Sequence, residues 1–99
     1  MKCPSYDLFF NTVSNRLRLD IIGLLRRKSM SVTEICAALK EEQSKVSHNL
    51  KKMADCHIIE VLRKGKQRIY SLNKETMVPL MNLVQKHVES YCSKECKMR

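Results

Sequence analysis

Residues 31–72 read SVTEICAALKEEQSKVSHNLKKMADCHIIEVLRKGKQRIYSL, and this stretch decides the fold. Its opening carries Val32, Ile35, Cys36 and Leu39 on one helical face, with Ser31 or Thr33 placed to cap it. A polar break, Lys40-Glu41-Glu42, leads into a second helical pattern from about Gln43 to Ala54 that buries Val46, Leu50 and Met53. Next, Ile59–Arg63 and Arg68–Leu72 read as strands joined through a turn containing Gly65. Two short helices across a tight polar turn, then a hairpin with a cationic tip, suit a winged helix-turn-helix. Such an arrangement lays one helix in a major groove and a charged ribbon against the flanking phosphates.

Outside this stretch the patterns are helical. A first helix begins near Ser5 and carries Leu8, Phe9 and Val13. A second, from about Asn15 to Lys28, aligns Leu17, Ile21, Leu24 and Leu25. The last runs from about Thr76 towards Lys94, with Pro79 tolerable in its first turn. Met77, Met81, Val84, Val88 and Tyr91 recur at intervals of three and four, and Leu80 and Leu83 widen the stripe. So broad a band on a terminal helix suggests packing against another subunit as well as its own domain. The expected class is mainly α with a small β-hairpin wing, in the order α1-α2-α3-α4-β-β-α5. One domain covers 1–99, with the helix-turn-helix at 31–54 and the wing at 58–72.

Ninety-nine residues leave no room for a second core. The formal charge is +9, which favours a polyanionic partner, nucleic acid before an anionic membrane surface. No apolar run approaches the roughly 20 residues that cross a bilayer, and the first ten residues lack the apolar core of a secretory signal. A cytoplasmic protein without membrane contact is expected. Trp is absent and aromatics are few, which argues against a stacking platform for single strands. His48, His57 and His87 lie on separate elements with no paired acid or nucleophile, so the chain is read as non-enzymatic.

The second helix of the quoted stretch has groove chemistry. Gln43, Ser44, Ser47, His48 and Asn49 can reach base edges, and Asn can bond adenine bidentately. Lys45, Lys51 and Lys52 suit phosphates, which set register rather than sequence. In the wing, Arg63, Lys64, Lys66 and Arg68 should straddle the backbone or enter a minor groove. A charge run alone usually marks a solvated surface. Here it coincides with a helix-turn-helix pattern, and double-stranded DNA becomes the expected partner.

Leu8-Phe9, Ser14-Asn15, Arg18–Ile22, Ser31–Leu39, Val46–Leu50 and Arg63–Lys66 leading into Ile69–Leu72 together resemble the ArsR/SmtB family of metal-responsive repressors. The likeness covers roughly positions 8 to 90. It departs at Arg16-Leu17, where the family usually has Pro-Thr. What the resemblance implies is a homodimer built from the first and last helices (1–14 and 75–96), bound to a palindromic operator as a repressor. A ligand or thiol event in the dimer would then release the DNA.

Five cysteines raise the question of that event. The family's thiolate motif, Cys-x-Cys-Asp, falls here on Ser31, Thr33 and Glu34, so both thiols are missing. Cys36 matches a further cysteine of some arsenic sensors but lies on an apolar face, where a core thiol is the expectation. The family's zinc site would use His87 with Ser90, Lys74 and Thr76, which do not supply the ligands. Cys92 and Cys96 stand four apart, on one helical face about 6 Å along the axis. Such thiolates can share As(III), Zn(II), Cd(II) or Cu(I), although zinc wants four ligands and arsenic three. Cys3 could supply a third, because the family brings both chain ends to the dimer interface. The same cysteines also suit a thiol redox or persulfide switch, and Tyr91-Cys92-Ser93 resembles persulfide-responsive members. Cys56 reads as structural or incidental. A rival of another class is a winged-helix interaction module that docks an acidic protein surface and has no effector.

Overall fold

Short polar side chains decide where the helices begin. In the computed structural model, which describes residues 5–92, α1 (Tyr6–Val13) starts behind Ser5, whose hydroxyl accepts from the Leu8 amide at 3.3 Å. Asn15 does the same for α2 (Arg16–Arg27), accepting from Arg18 at 3.2 Å. At α3 (Val32–Leu39) Ser31 and Glu34 form a reciprocal pair. The Glu34 amide donates to Ser31 Oγ at 3.2 Å, and the Ser31 amide donates to Glu34 Oε1 at 2.8 Å. This helix stops at Lys40, which turns left-handed (φ 57°) and sends the chain into α4 (Gln43–Asp55).

The hairpin pairs β2 (Ile59–Lys64) with β3 (Gln67–Leu72), antiparallel, from Ile59 opposite Leu72 to Lys64 opposite Gln67. A two-residue loop, Gly65-Lys66, closes it. Gly65 has φ +61°, the conformation that a Gly-first hairpin turn requires. A short strand not expected from the sequence, β1 (Met30–Ser31), adds to the other side of β3, giving the order β1-β3-β2. Asn73 then turns the chain into α5 (Met77–Tyr91): its Oδ1 accepts from Glu75 and Thr76, and its Nδ2 donates to His57 O at 2.8 Å. The architecture is a winged helix-turn-helix.

One core joins these pieces. Ile21, Ile22 and Leu25 of α2 meet Ile35 of α3, Val46, Leu50 and Met53 of α4, the wing bases Ile58, Ile59 and Leu72, and Met77 at the start of α5. Beyond Met81, α5 leaves this core and its side chains are exposed. Helix α1 buries no residue fully and leans on the core through Phe9 and Val13. The two outlying helices stretch the molecule to 46 × 31 × 22 Å, with a radius of gyration of 14.2 Å. A spherical domain of this length would have about 13 Å. Among the described residues no helix is long and apolar enough to cross a membrane.

Candidate nucleic-acid interface

Because Val46, Leu50 and Met53 fix which side of α4 faces the core, the opposite side is presented to solvent. Gln43, Ser44, Lys45, Ser47, His48, Lys51 and Lys52 are all exposed there, as the sequence pattern anticipates. Lys45 and Lys51 are held by carboxylates of their own helix region, Lys45 Nζ to Glu41 at 3.4 Å and Lys51 Nζ to Asp55 at 3.7 Å. Exposed pairs of this kind are worth little, so a phosphate can take over either lysine at small cost.

Asn49 departs from the expectation that it reads base edges. It is 9% exposed and turned inward. Arg18 Nε donates to its Oδ1 at 2.8 Å, and its Nδ2 donates to Lys45 O at 2.8 Å. The reason lies in the helical turn of about 100° per residue. Asn49 follows Val46 by three residues and precedes Met53 by four, so it falls on the flank of the buried stripe. Its polarity conceals that position when the sequence is read alone. Arg18, the partner that accepts its burial, belongs to a residue class read only as part of a family pattern.

The wing brings its cations to α4. Arg63 and Arg68 are directly opposite each other in the ladder, on the same face as Val61 and Tyr70. With Ser47, Leu50, Lys51, Ala54 and Asp55 these four line an open hollow of about 560 Å³ between wing and helix. Lys64 and Lys66 sit at the exposed tip. Two like charges opposed across a strand pair destabilise a hairpin, unless a polyanion neutralises them.

The three described cysteines, Cys36, Cys56 and Cys92, lie on separate parts of the fold. Cys36 and Cys56 are half-buried and pack against the core. Cys92 is half-buried as the C-cap of α5, where its amide donates to Val88 O at 2.9 Å. Cys3 and Cys96 lie outside the described residues. Among the described residues no three His, Cys, Asp or Glu side chains are grouped to hold a metal ion. His87 stays on the exposed part of α5 beside the Tyr91 ring, with centroids 5.0 Å apart.

Comparison with known proteins agrees with this geometry. Residues 15–61 match the family described as bacterial regulatory protein, arsR family. The transcriptional repressor PagR of Bacillus anthracis is 35% identical over 78 residues, covering 75% of this chain and 78% of PagR. Its crystal structure superposes with a TM-score of 0.68 over 76% of this chain and 86% of that one, at 32% identity. A transcriptional repressor SmtB homolog of Synechocystis is 28% identical over 81 residues, or 82% of this chain; the match spans 61% of that protein's length. Rv0081 of Mycobacterium tuberculosis matches in structure with a TM-score of 0.82, covering 95% of this chain and 98% of that one at 26% identity. This family and this fold are those of transcriptional regulators, not of enzymes. With the helix-turn-helix, the wing and these relatives in agreement, the chain belongs to the ArsR family.

Proposed function

We propose that two copies of this chain bind double-stranded DNA at a palindromic operator and repress transcription. In each copy α4 enters a major groove through Gln43, Ser44, Ser47 and His48, while Lys45, Lys51 and Lys52 meet phosphates. The wing cations Arg63, Lys64, Lys66 and Arg68 grip the flanking backbone. The observation that carries this reading is the shared hollow: Ser47 and Lys51 on the outer face of α4 and the arginine pair of the wing open onto one space. A dimer is supported by apolar side chains that a lone chain leaves in water. Phe10 of α1 is 60% exposed, and Leu83 and Tyr91 of α5 are 65% and 75% exposed. The dimerisation segments 1–14 and 75–96 include these two helices. A regulator of this kind works where the chromosome is, in the cytoplasm.

Operator binding is modulated, in this reading, by a soft ion such as As(III), Zn(II), Cd(II) or Cu(I) at Cys92, Cys96 and Cys3. Thiol oxidation or persulfide chemistry at the same cysteines is the alternative. The position of Cys92 supports a role of either kind: it closes the helix whose apolar face is offered for dimerisation. An effector that prefers the DNA-free dimer by about 1–3 kcal/mol lowers operator affinity 5–150-fold.

Titration of the chain against duplex and single-stranded DNA at two salt concentrations, with sedimentation in parallel, tests the DNA-binding reading. A dimer that prefers duplex is expected. With about six phosphate contacts, log affinity should fall against log salt with a slope near −5. Equal affinity for duplex and for heparin would instead favour a module that docks acidic protein surfaces.

A further inference from the structure

Asn49 stands in the middle of the helix that would read DNA, yet both ends of its amide are occupied inside the protein. The guanidinium that holds it has a second anchor. Arg18 Nη1 donates to Thr12 O at 3.0 Å, in the last turn of α1. One planar cation on α2 therefore joins the end of α1 to the flank of α4. Val46, Leu50 and Met53 set which face of α4 turns inward, but their non-directional apolar contacts leave its finer rotation loosely held. Among the described residues no side chain caps its N-terminus. A forked, charge-assisted donor refines that angle, since it demands acceptors at fixed directions.

We propose that Arg18 and Asn49 are positioning residues for DNA recognition: they fix the fine rotation of α4 and tie it to α1 without touching DNA. This rests on the DNA-binding reading above and deepens it. Sequence preference then depends on a contact made behind the reading face. The association of two chains through α1 and the aim of α4 share a single side chain.

The two possible roles of Asn49 respond oppositely to a carboxylate. An aspartate at this position gives up the donation to Lys45 O but still accepts from Arg18, with a stronger charge-assisted bond that holds the same angle. Facing DNA it would repel phosphates and could not donate to adenine. The experiment uses the full chain and a duplex of about 30 base pairs enriched by it from a random pool, long enough for two half-sites a turn apart. A scrambled duplex of equal composition is the control. Asn49→Asp should keep the wild-type preference for the enriched duplex within about threefold. Asn49→Leu and Arg18→Lys should lose roughly tenfold or more of it, with affinity for the scrambled duplex and the salt slope unchanged. Sedimentation of Arg18→Lys should show a dimer dissociation constant raised about threefold or more, and Asn49→Asp should not.

Loss of preference in Asn49→Asp overturns the proposal, and that result stands even if Asn49→Leu fails to fold. An unchanged preference in a folded Arg18→Lys overturns it as well. An unchanged dimer constant in that variant removes the tie to α1. Should the wild-type chain enrich no duplex at all, the DNA-binding reading fails and takes this inference with it.

Discussion

Ser31 belongs to three structures at once. It ends β1 opposite Ile69, caps α3 through its hydroxyl, and receives the Glu34 carboxylate on its amide. It is also buried. Ser31→Ala should cost about 1 kcal/mol of stability, read from chemical denaturation. The same pair gives a pH dependence. The Ser31 amide holds the Glu34 carboxyl below its ordinary range, outweighing desolvation, with Lys28 adding a smaller pull in the same direction. A carboxyl depressed in the folded state stabilises at pH above its unfolded value. That contribution disappears as pH falls through the folded value. Between about pH 7 and about pH 3 the melting temperature of the wild type should therefore fall further than that of Glu34→Gln. Ser31 and Thr33 both read as caps in the sequence. Only Ser31 has a Glu three residues on, and that spacing decides between them.

The wing is the element whose stability and use conflict. Arg63 and Arg68 oppose each other across the ladder, so replacing one relieves repulsion. Arg68→Thr should raise stability by a few tenths of a kcal/mol to about 1 kcal/mol, since threonine also suits a strand. Duplex affinity should fall in the same variant. A thermal melt and an anisotropy titration on one sample check both directions. At the tip, Gly65→Ala meets none of the described residues within 4 Å, so its cost is backbone strain, about 1–2 kcal/mol. The hairpin was legible in the sequence from its glycine-containing turn and flanking alternation, although the strands run one residue further, to Lys64 and from Gln67, and so leave only two residues for the loop. Strand β1 was not: Met30 and Ser31 are too few to show a period, and their strand character comes from Tyr70 and Ile69 opposite. Asn49 was misplaced for a related reason, its side chain naming a partner type without naming the partner.

Taken whole, the chain is a small core with two apolar helices extending beyond it. The core was readable because its periodic Val, Ile, Leu and Met positions fall on faces that the helix and strand periods bring together. In the proposed dimer a second copy covers Leu83, Val84, Val88 and Tyr91, an occupant that periodicity alone does not identify. Val88→Glu should raise the dimer dissociation constant at least about tenfold, because a carboxylate would be buried unpaired at the interface. Its monomer should melt near the wild type, Val88 being exposed there. The role of the cysteines was least legible, since a ligand set that draws on both chain ends, as proposed above, would depend on contacts that spacing does not encode.

The DNA reading depends above all on the cationic ribbon gripping a duplex backbone beside α4. Measuring duplex affinity across a salt series for the wild type and for Lys64→Gln/Arg68→Gln addresses this directly. Each lost phosphate contact should flatten the slope of log affinity against log salt by about 0.9, so the double variant should be shallower by nearly 2 and bind more weakly at every salt concentration in the series. An identical slope and affinity in both proteins would mean that the wing does not touch DNA.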